Sequence, residues 1–149
     1  MTIEEFFTNL HNKKEIMNTA YKDYIDSIYL FSELTGISYK EIMTSSSRKI
    51  KGLDDGLVDS ESKNEKYLKA RKEYEIEREK CLDTIKSLSK PLHRLIIQYG
   101  YMNQESNKDI ATSLRKYHKQ DYSEDYIRNK KVEAKREFER IINEQFNNV

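Results

Sequence analysis

Apolar residues recur at alternating spacings of four and three from residue 3 to residue 31, and this pattern constrains the fold most strongly. The seam consists of Ile3, Phe7, Leu10, Met17, Tyr21, Tyr24, Ile28 and Phe31, with Lys14 as its interruption. Such spacing places side chains on one stripe of an α-helix. Because Thr2 and Glu5 have the spacing of a capping box, we predict one helix over residues 3–34.

A second seam of the same spacing runs from about residue 61 to residue 88. It consists of Tyr67, Arg71, Tyr74, Arg78, Cys81, Ile85 and Leu88. A long amphipathic helix must bury its stripe against a partner. We therefore predict an antiparallel helical hairpin, with the character of a coiled coil, over residues 1–88, with a flexible loop at about 44–62. Closure within the chain is favoured, and exchange with a second copy stays open.

Composition supports an all-α fold. Charged residues make up 36% of the 149 residues, with four Gly and one Pro, which is typical of long exposed helices. The net charge of +1 does not indicate a nucleic-acid partner, but residues 108–136 carry nine Lys and Arg against five Asp and Glu. No apolar stretch approaches the ~20 residues that span a bilayer, and no signal peptide is recognisable. We expect a cytoplasmic protein without a membrane partner.

The residues do not suggest catalysis. His11, His93 and His118 are scattered without metal-ligand spacing, and a Gly-rich phosphate loop is missing. The single Cys81 has no disulfide partner and occupies a core position of its seam, where an inert buried thiol is expected. We therefore expect neither an enzyme nor a bound metal or cofactor.

Residues 89–149 are predicted to form a separate domain of three shorter helices. Ser89 and Pro91 are predicted to begin the first helix, and Gly100 to end it. Ser106 and Ser123 are predicted N-caps of the second and third helices. The predicted buried stripe of the third helix is Ile127, Ala134, Phe138 and Ile141. A small helical unit whose last helix is long, basic and amide-bearing is the description of a helix-turn-helix that enters the DNA major groove.

The solvent side of the third helix supplies the predicted DNA contacts. Arg128 and Asn129 suit guanine and adenine edges, respectively, in the major groove. Ser123 and Tyr126 are expected to reach bases or phosphate from the first turn. The expected phosphate contacts are Lys108, Lys119, Lys131, Lys135 and Arg136.

The stretch of residues 88–142 resembles region 4 of sigma-70-type factors. It is more similar to the sigma-region-4-like regulators of phages and prophages of Gram-positive bacteria, the late-transcription-regulator group. The matching positions are Pro91, Leu95, Tyr99, Ile110, Ala111, Leu114, Ser123, Ile127, Arg128, Asn129, Ala134 and Phe138. It departs from their pattern in a longer turn at residues 117–122 and in the acidic Glu124 and Asp125. The resemblance implies double-stranded DNA as partner and activation of late or packaging genes, with affinity added by host RNA polymerase or by homodimerisation.

Two alternatives remain open. A protein-only binding module would dock the same segment on host RNA polymerase or another regulator, and Glu124 and Asp125 would disfavour DNA. A phage DNA-packaging component of the small-terminase kind would recognise DNA as a ring-shaped oligomer. Salt-dependent DNA binding tests the first alternative, and sedimentation tests the second.

Overall fold

The computed structural model describes residues 1–36 and 54–147, and this part of the chain forms helices without any β-strand. The elements are α1 (Ile3–Thr35), α2 (Asp54–Lys86), α3 (Pro91–Ile97), which continues as a π-helical turn (Gln98–Met102), α4 (Asn107–His118) and α5 (Glu124–Asn147). The predicted all-α class is confirmed. Much of the loop predicted at about 44–62 lies outside the described residues, but α2 begins at Asp54, earlier than predicted.

The chain divides into two compact units, and the division differs from the predicted break at residue 88. The larger unit comprises residues 1–11 and 77–149, and the smaller unit comprises residues 12–76. The first turns of α1 belong to the larger unit because they pack on α5. The ring of Phe7 stacks on that of Phe138 with centroids 5.6 Å apart, and Ile3 is fully buried. The seam of α1 is interrupted at Lys14 but resumes the same spacing at Met17, so the spacing alone did not indicate this boundary.

In the smaller unit, the contacts between the described parts of α1 and α2 include two pairs of residues. The rings of Tyr21 and Tyr67 lie 5.1 Å apart, and the Ser27 hydroxyl donates to the Ser60 hydroxyl at 3.2 Å. These pairs occur in opposite order along the two helices. The buried residues of α1 here are Ala20, Tyr24, Ser27, Ile28 and Phe31. Tyr21, predicted in the buried seam, is instead 47% exposed, because it lies at the edge of the contact against Tyr67.

The start of α3 differs from the prediction in its cap. Lys90, not Ser89, is the N-cap residue, and its side chain makes no capping hydrogen bond. Pro91 occupies the first turn as expected, where its missing N–H leaves no partner unsatisfied. The backbone N–H and the hydroxyl of Ser89 donate instead to Glu137 of α5, at 3.1 and 2.9 Å. Ser89 therefore connects α3 to α5.

Gly100 was predicted to end the first of these helices, and this prediction is wrong. The helix passes through Gly100 as the π-helical turn. A Cβ atom at this position would lie 3.2 Å from Ile110 Cδ1 and 3.2 Å from Lys131 Cε. Glycine therefore allows α4 and α5 to approach the turn closely.

The predicted caps of α4 and α5 are confirmed. The Ser106 hydroxyl accepts a hydrogen bond from the Asp109 N–H, and the Ser123 hydroxyl accepts one from the Tyr126 N–H, each at 3.2 Å. A hydrophobic cluster joins α3, α4 and α5. Its buried members are Ile96, Ile110, Ala111, Leu114 and Ile127, with Leu92, Leu95, Tyr99 and Tyr122 packed against them. Farther along α5, Ile142 is fully buried in place of the predicted Ile141.

Helix α4 is followed by the C-cap residue Lys119, which has the left-handed φ of 54°. The backbone N–H of Lys119 and that of the following Gln120 both donate to the Leu114 carbonyl, the latter at 3.1 Å. A residue with a Cβ is strained in this conformation, and glycine is not.

We expect Lys119→Gly to raise the free energy of unfolding by about 0.5–1 kcal/mol. The gain is limited because glycine also adds freedom to the unfolded chain. Urea denaturation checks it, with Lys116→Gly as the control, because Lys116 lies within α4 and glycine there should destabilise by about 1 kcal/mol. A loss of stability at both positions would contradict the strain at Lys119.

Candidate nucleic-acid interface

The side of α5 that faces away from the hydrophobic core carries a stripe of exposed side chains. Its members are Asp125, Asn129, Val132 and Arg136, and we call them the outward stripe of α5. Their spacing of four, three and four keeps them on one face of the helix. The opposite face is anchored by the buried Ile127, Ala134, Phe138 and Ile142. The outward stripe is therefore free to meet a partner surface.

Val132 is a candidate contact residue that the sequence analysis missed. Its side chain is 47% exposed and lies between Asn129 and Arg136 on the outward stripe. An exposed apolar side chain next to hydrogen-bonding groups suits the methyl group of thymine in the major groove. Its position four residues before Arg136 and off the buried stripe was the signal available in the sequence.

Arg128 and Asn129, the predicted base contacts, are both exposed. Arg128 Nη2 lies 3.3 Å from Asp125 Oδ1, and the two side chains are 63% and 82% exposed. An ion pair so exposed contributes little and opens readily. Glu124 and Asp125 occupy the first turn of α5, where the positive end of the helix dipole stabilises carboxylates. The acidic first turn therefore has a structural role.

Lys131 and Lys135 are oriented differently from the prediction, which placed both in solvent. Lys131 Nζ lies 4.9 Å from the centroid of the Tyr101 ring, and burial lowers the pKa of this lysine. Lys135 Nζ lies 3.1 Å from Glu4 Oε1. Lys131 follows Ile127 by four residues, so it is carried toward the buried side of α5. The remaining predicted phosphate contacts, Lys108, Lys119 and Arg136, are exposed.

Tyr126 is held in place by its neighbours. Its ring stacks on that of Tyr122, with centroids 4.8 Å apart and an interplanar angle of 15°. Lys130 Nζ lies 5.5 Å from the Tyr126 ring centroid. Tyr122 packs in turn on the hydrophobic cluster. Tyr126 therefore stays 39% exposed in a fixed position next to Ser123, the exposed N-cap of α5.

A buried histidine that the sequence analysis considered isolated connects α3 to α5. His93 is 4% exposed, and its Nδ1 lies 2.9 Å from Glu137 Oε2. Because an ionised carboxylate only accepts hydrogen bonds, this nitrogen carries the proton and donates. Glu133 Oε2 lies 3.6 Å from the other ring nitrogen. The spacing of four between Glu133 and Glu137 was the signal for a shared partner.

Across residues 1–36 and 54–147, no three His, Cys, Asp or Glu side chains are grouped to hold a metal. The thiol of Cys81 is buried, and burial, helped by the charge of Glu77, raises its pKa to about 12. None of the helices in the same two ranges combines the length and apolar character that crossing a bilayer requires.

Comparison with known proteins provides no relative for this chain. No protein-family model, no curated protein and no solved structure matches it. The basis for assigning a function is therefore the geometry of α4 and α5 together with the resemblance noted in the sequence.

Proposed function

We propose that the chain is a DNA-binding transcription regulator of the sigma-region-4-like kind, in which α4, residues 119–123 and α5 form the helix-turn-helix. The observation that carries this proposal is the division of α5 into two faces. One face is anchored in the core by Ile127 and Phe138, and the other leaves the outward stripe exposed. A long helix fixed along one side can enter the major groove with its free side toward the bases.

The exposed side chains of α5 have separate roles in this proposal. Arg128 binds O6 and N7 of guanine, Asn129 binds N6 and N7 of adenine, and Val132 contacts a thymine methyl. Arg136 and the lysines Lys108 and Lys119 bind backbone phosphates, which fix the register of the protein on the duplex. The buried His93 and its partner on α5 hold the recognition helix against α3.

The smaller unit is the proposed site of further affinity. We assign it as a helical hairpin, on the basis of the opposite order of its two contact pairs, Tyr21 with Tyr67 and Ser27 with Ser60. A monomer with about three phosphate contacts binds specific DNA weakly at physiological salt. Attachment to host RNA polymerase or to a second copy through this hairpin would supply the remaining affinity and allow activation of late or packaging genes.

The proposal predicts that Arg128→Ala/Asn129→Ala lowers affinity for specific DNA at least tenfold, since each residue provides about 1–3 kcal/mol of base recognition. The DNA site is first obtained by selecting bound duplexes from a random pool. Fluorescence anisotropy with the selected duplex then gives Kd at several salt concentrations. For wild type, log K should fall with log salt at a slope of roughly −2 to −3, as about three phosphate contacts require.

Arg140→Ala is the matched control for this experiment. Arg140 lies on the same helix, is 61% exposed and pairs with Glu144 at 2.9 Å, so it resembles Arg128 in exposure and pairing. Its removal should change Kd less than threefold. An equal loss in the control would mean that general charge, not the first turns of α5, determines binding. Failure of wild type to bind any duplex would favour the protein-only module, and a ring in sedimentation would favour the packaging component.

A further inference from the structure

An open pocket with cationic walls lies between the π-helical turn and one side of α5. Its volume is about 440 Å³. The lining residues are Tyr101, Arg128, Lys131, Val132, Lys135, Arg136 and Glu139. Four of these side chains are cations and one is a carboxylate. The pocket therefore gathers basic residues that sequence analysis treated as separate surface contacts.

The one carboxylate of the pocket is already engaged. Glu139 Oε1 accepts a hydrogen bond from the backbone N–H of Ile3 at 3.1 Å. Glu4, which lies near the pocket, pairs with Lys135 at 3.1 Å. Glu139 is thus hydrogen-bonded to the first turn of α1, and Glu4 is ion-paired with Lys135. Asp125 also pairs with the pocket residue Arg128, so four cations face three carboxylates, and an excess of one positive charge is left for a ligand.

Lys131 is the pocket cation that burial affects most clearly. Its ammonium rests over the Tyr101 ring at 4.9 Å and beside Gly100, and in the described ranges no carboxylate lies within ion-pair distance of it. Burial lowers the pKa of Lys131, Glu4 opposes this, and the charge of Lys135 lowers the pKa further. A half-desolvated ammonium beside other cations gains most from an added anion.

We propose that this pocket is a seat for a phosphate group, held by Lys131, Lys135 and Arg136. Charge-assisted hydrogen bonds from two ammonium groups and a guanidinium fork match the oxygens of a tetrahedral phosphate, while Arg128 at the rim is paired with Asp125. If the proposed function holds, the phosphate belongs to the DNA backbone beside α5. A small phosphorylated molecule offers the same chemistry, and the test separates the two sources.

The first arm of the test uses pyrophosphate as the probe and the full chain labelled with ¹³C at lysine Cε. Saturable shifts are expected for Lys131 and Lys135, with smaller shifts for the exposed Lys108 and Lys116. Lys131→Met, which keeps the apolar stem over Tyr101, should weaken pyrophosphate binding about tenfold or more. The matched control is Lys130→Met, because Lys130 is the adjacent lysine, pairs with Glu133 at 3.2 Å and does not line the pocket.

Thermal unfolding shows whether each variant folds. If Lys131→Met does not fold, Arg136→Gln replaces it, because Arg136 is an exposed residue of the pocket. Shifts that are linear in pyrophosphate, or equal across all exposed lysines, overturn the phosphate seat. So does equal weakening by Lys131→Met and Lys130→Met.

The second arm measures the salt slope of duplex binding. If the DNA backbone is the source, Lys131→Met should reduce the slope by about one unit relative to Lys130→Met. Pyrophosphate binding with an unchanged slope supports the seat and assigns it to a small phosphorylated molecule. Pyrophosphate binding without any duplex binding keeps the seat while the proposed function fails, so the two failures are distinguishable.

Discussion

Replacing Phe138 by alanine is expected to lower the free energy of unfolding by about 3–5 kcal/mol. Phe138 is fully buried on α5, and its ring stacks on that of Phe7 at 5.6 Å and makes a T-shaped contact with that of Phe6 at 5.1 Å. Its removal leaves a cavity at the centre of the contact between the first turns of α1 and α5. The loss is a large part of the 5–15 kcal/mol that stabilises a typical domain. Urea denaturation followed by circular dichroism measures it.

Phe146→Ala is the matched control, because Phe146 lies on the same helix and is 57% exposed. Its effect should stay within about 0.5 kcal/mol. If Phe138→Ala does not fold, Phe138→Leu provides a milder variant with an expected loss of about 1–2 kcal/mol. A double-mutant cycle with Phe7→Ala should show coupling of about 0.5–1.5 kcal/mol. Equal effects of the Phe138 and Phe146 replacements, or zero coupling, would refute the aromatic core.

The features predicted correctly from the sequence depend on contacts within one helical turn. The reciprocal capping box of Thr2 and Glu5 forms with distances of 3.1 and 3.2 Å, and Ser106 and Ser123 cap their helices. Helix α1 ends at Thr35, one residue from the prediction. Such features were predictable because the cap side chain and the backbone N–H that it satisfies are three residues apart.

The features that sequence analysis missed depend on partners far away in the chain. Lys135 turns toward Glu4 across 131 positions, and His93 binds Glu137 across 44. Helical periodicity shows which residues share a face, but it does not show which distant element covers that face. For this reason the division of α1 at residue 11 and the burial of Lys131 were not predictable. The DNA contacts remain predictions that rest on the resemblance and on the exposure of the outward stripe.

Glu137 is the acceptor for three hydrogen bonds that join α3 to α5. His93 Nδ1 donates at 2.9 Å, the Ser89 N–H at 3.1 Å and the Ser89 hydroxyl at 2.9 Å. The hydrogen bond from His93 is the largest cause that lowers the pKa of Glu137 from 4.5 to about 2, followed by the backbone N–H of Ser89. The Glu137 side chain is 18% exposed, so solvent screens this interaction only in part. The folded state therefore strongly favours the ionised carboxylate.

We expect the wild-type protein to lose about 2–3 kcal/mol of stability through Glu137 as the pH falls from 5 to 2. The sign follows from the lowered pKa. Above 4.5 the carboxylate is ionised in both states, and the folded state keeps its full advantage. As the pH falls through this value toward 2, the unfolded chain takes up the proton first, so the advantage is lost.

Glu137→Gln should remove this acid-sensitive part of the stability. Urea denaturation at a series of pH values should therefore show wild type more stable than Glu137→Gln by about 2–3 kcal/mol at pH 7, with the difference shrinking toward zero near pH 2. The matched control is Glu144→Gln, because Glu144 lies two turns farther along the same face of α5 and is 60% exposed. Its difference from wild type should stay within about 0.5 kcal/mol at every pH. A constant difference for Glu137→Gln between pH 7 and pH 2 would show that the carboxylate's charge does not stabilise the contact between α3 and α5.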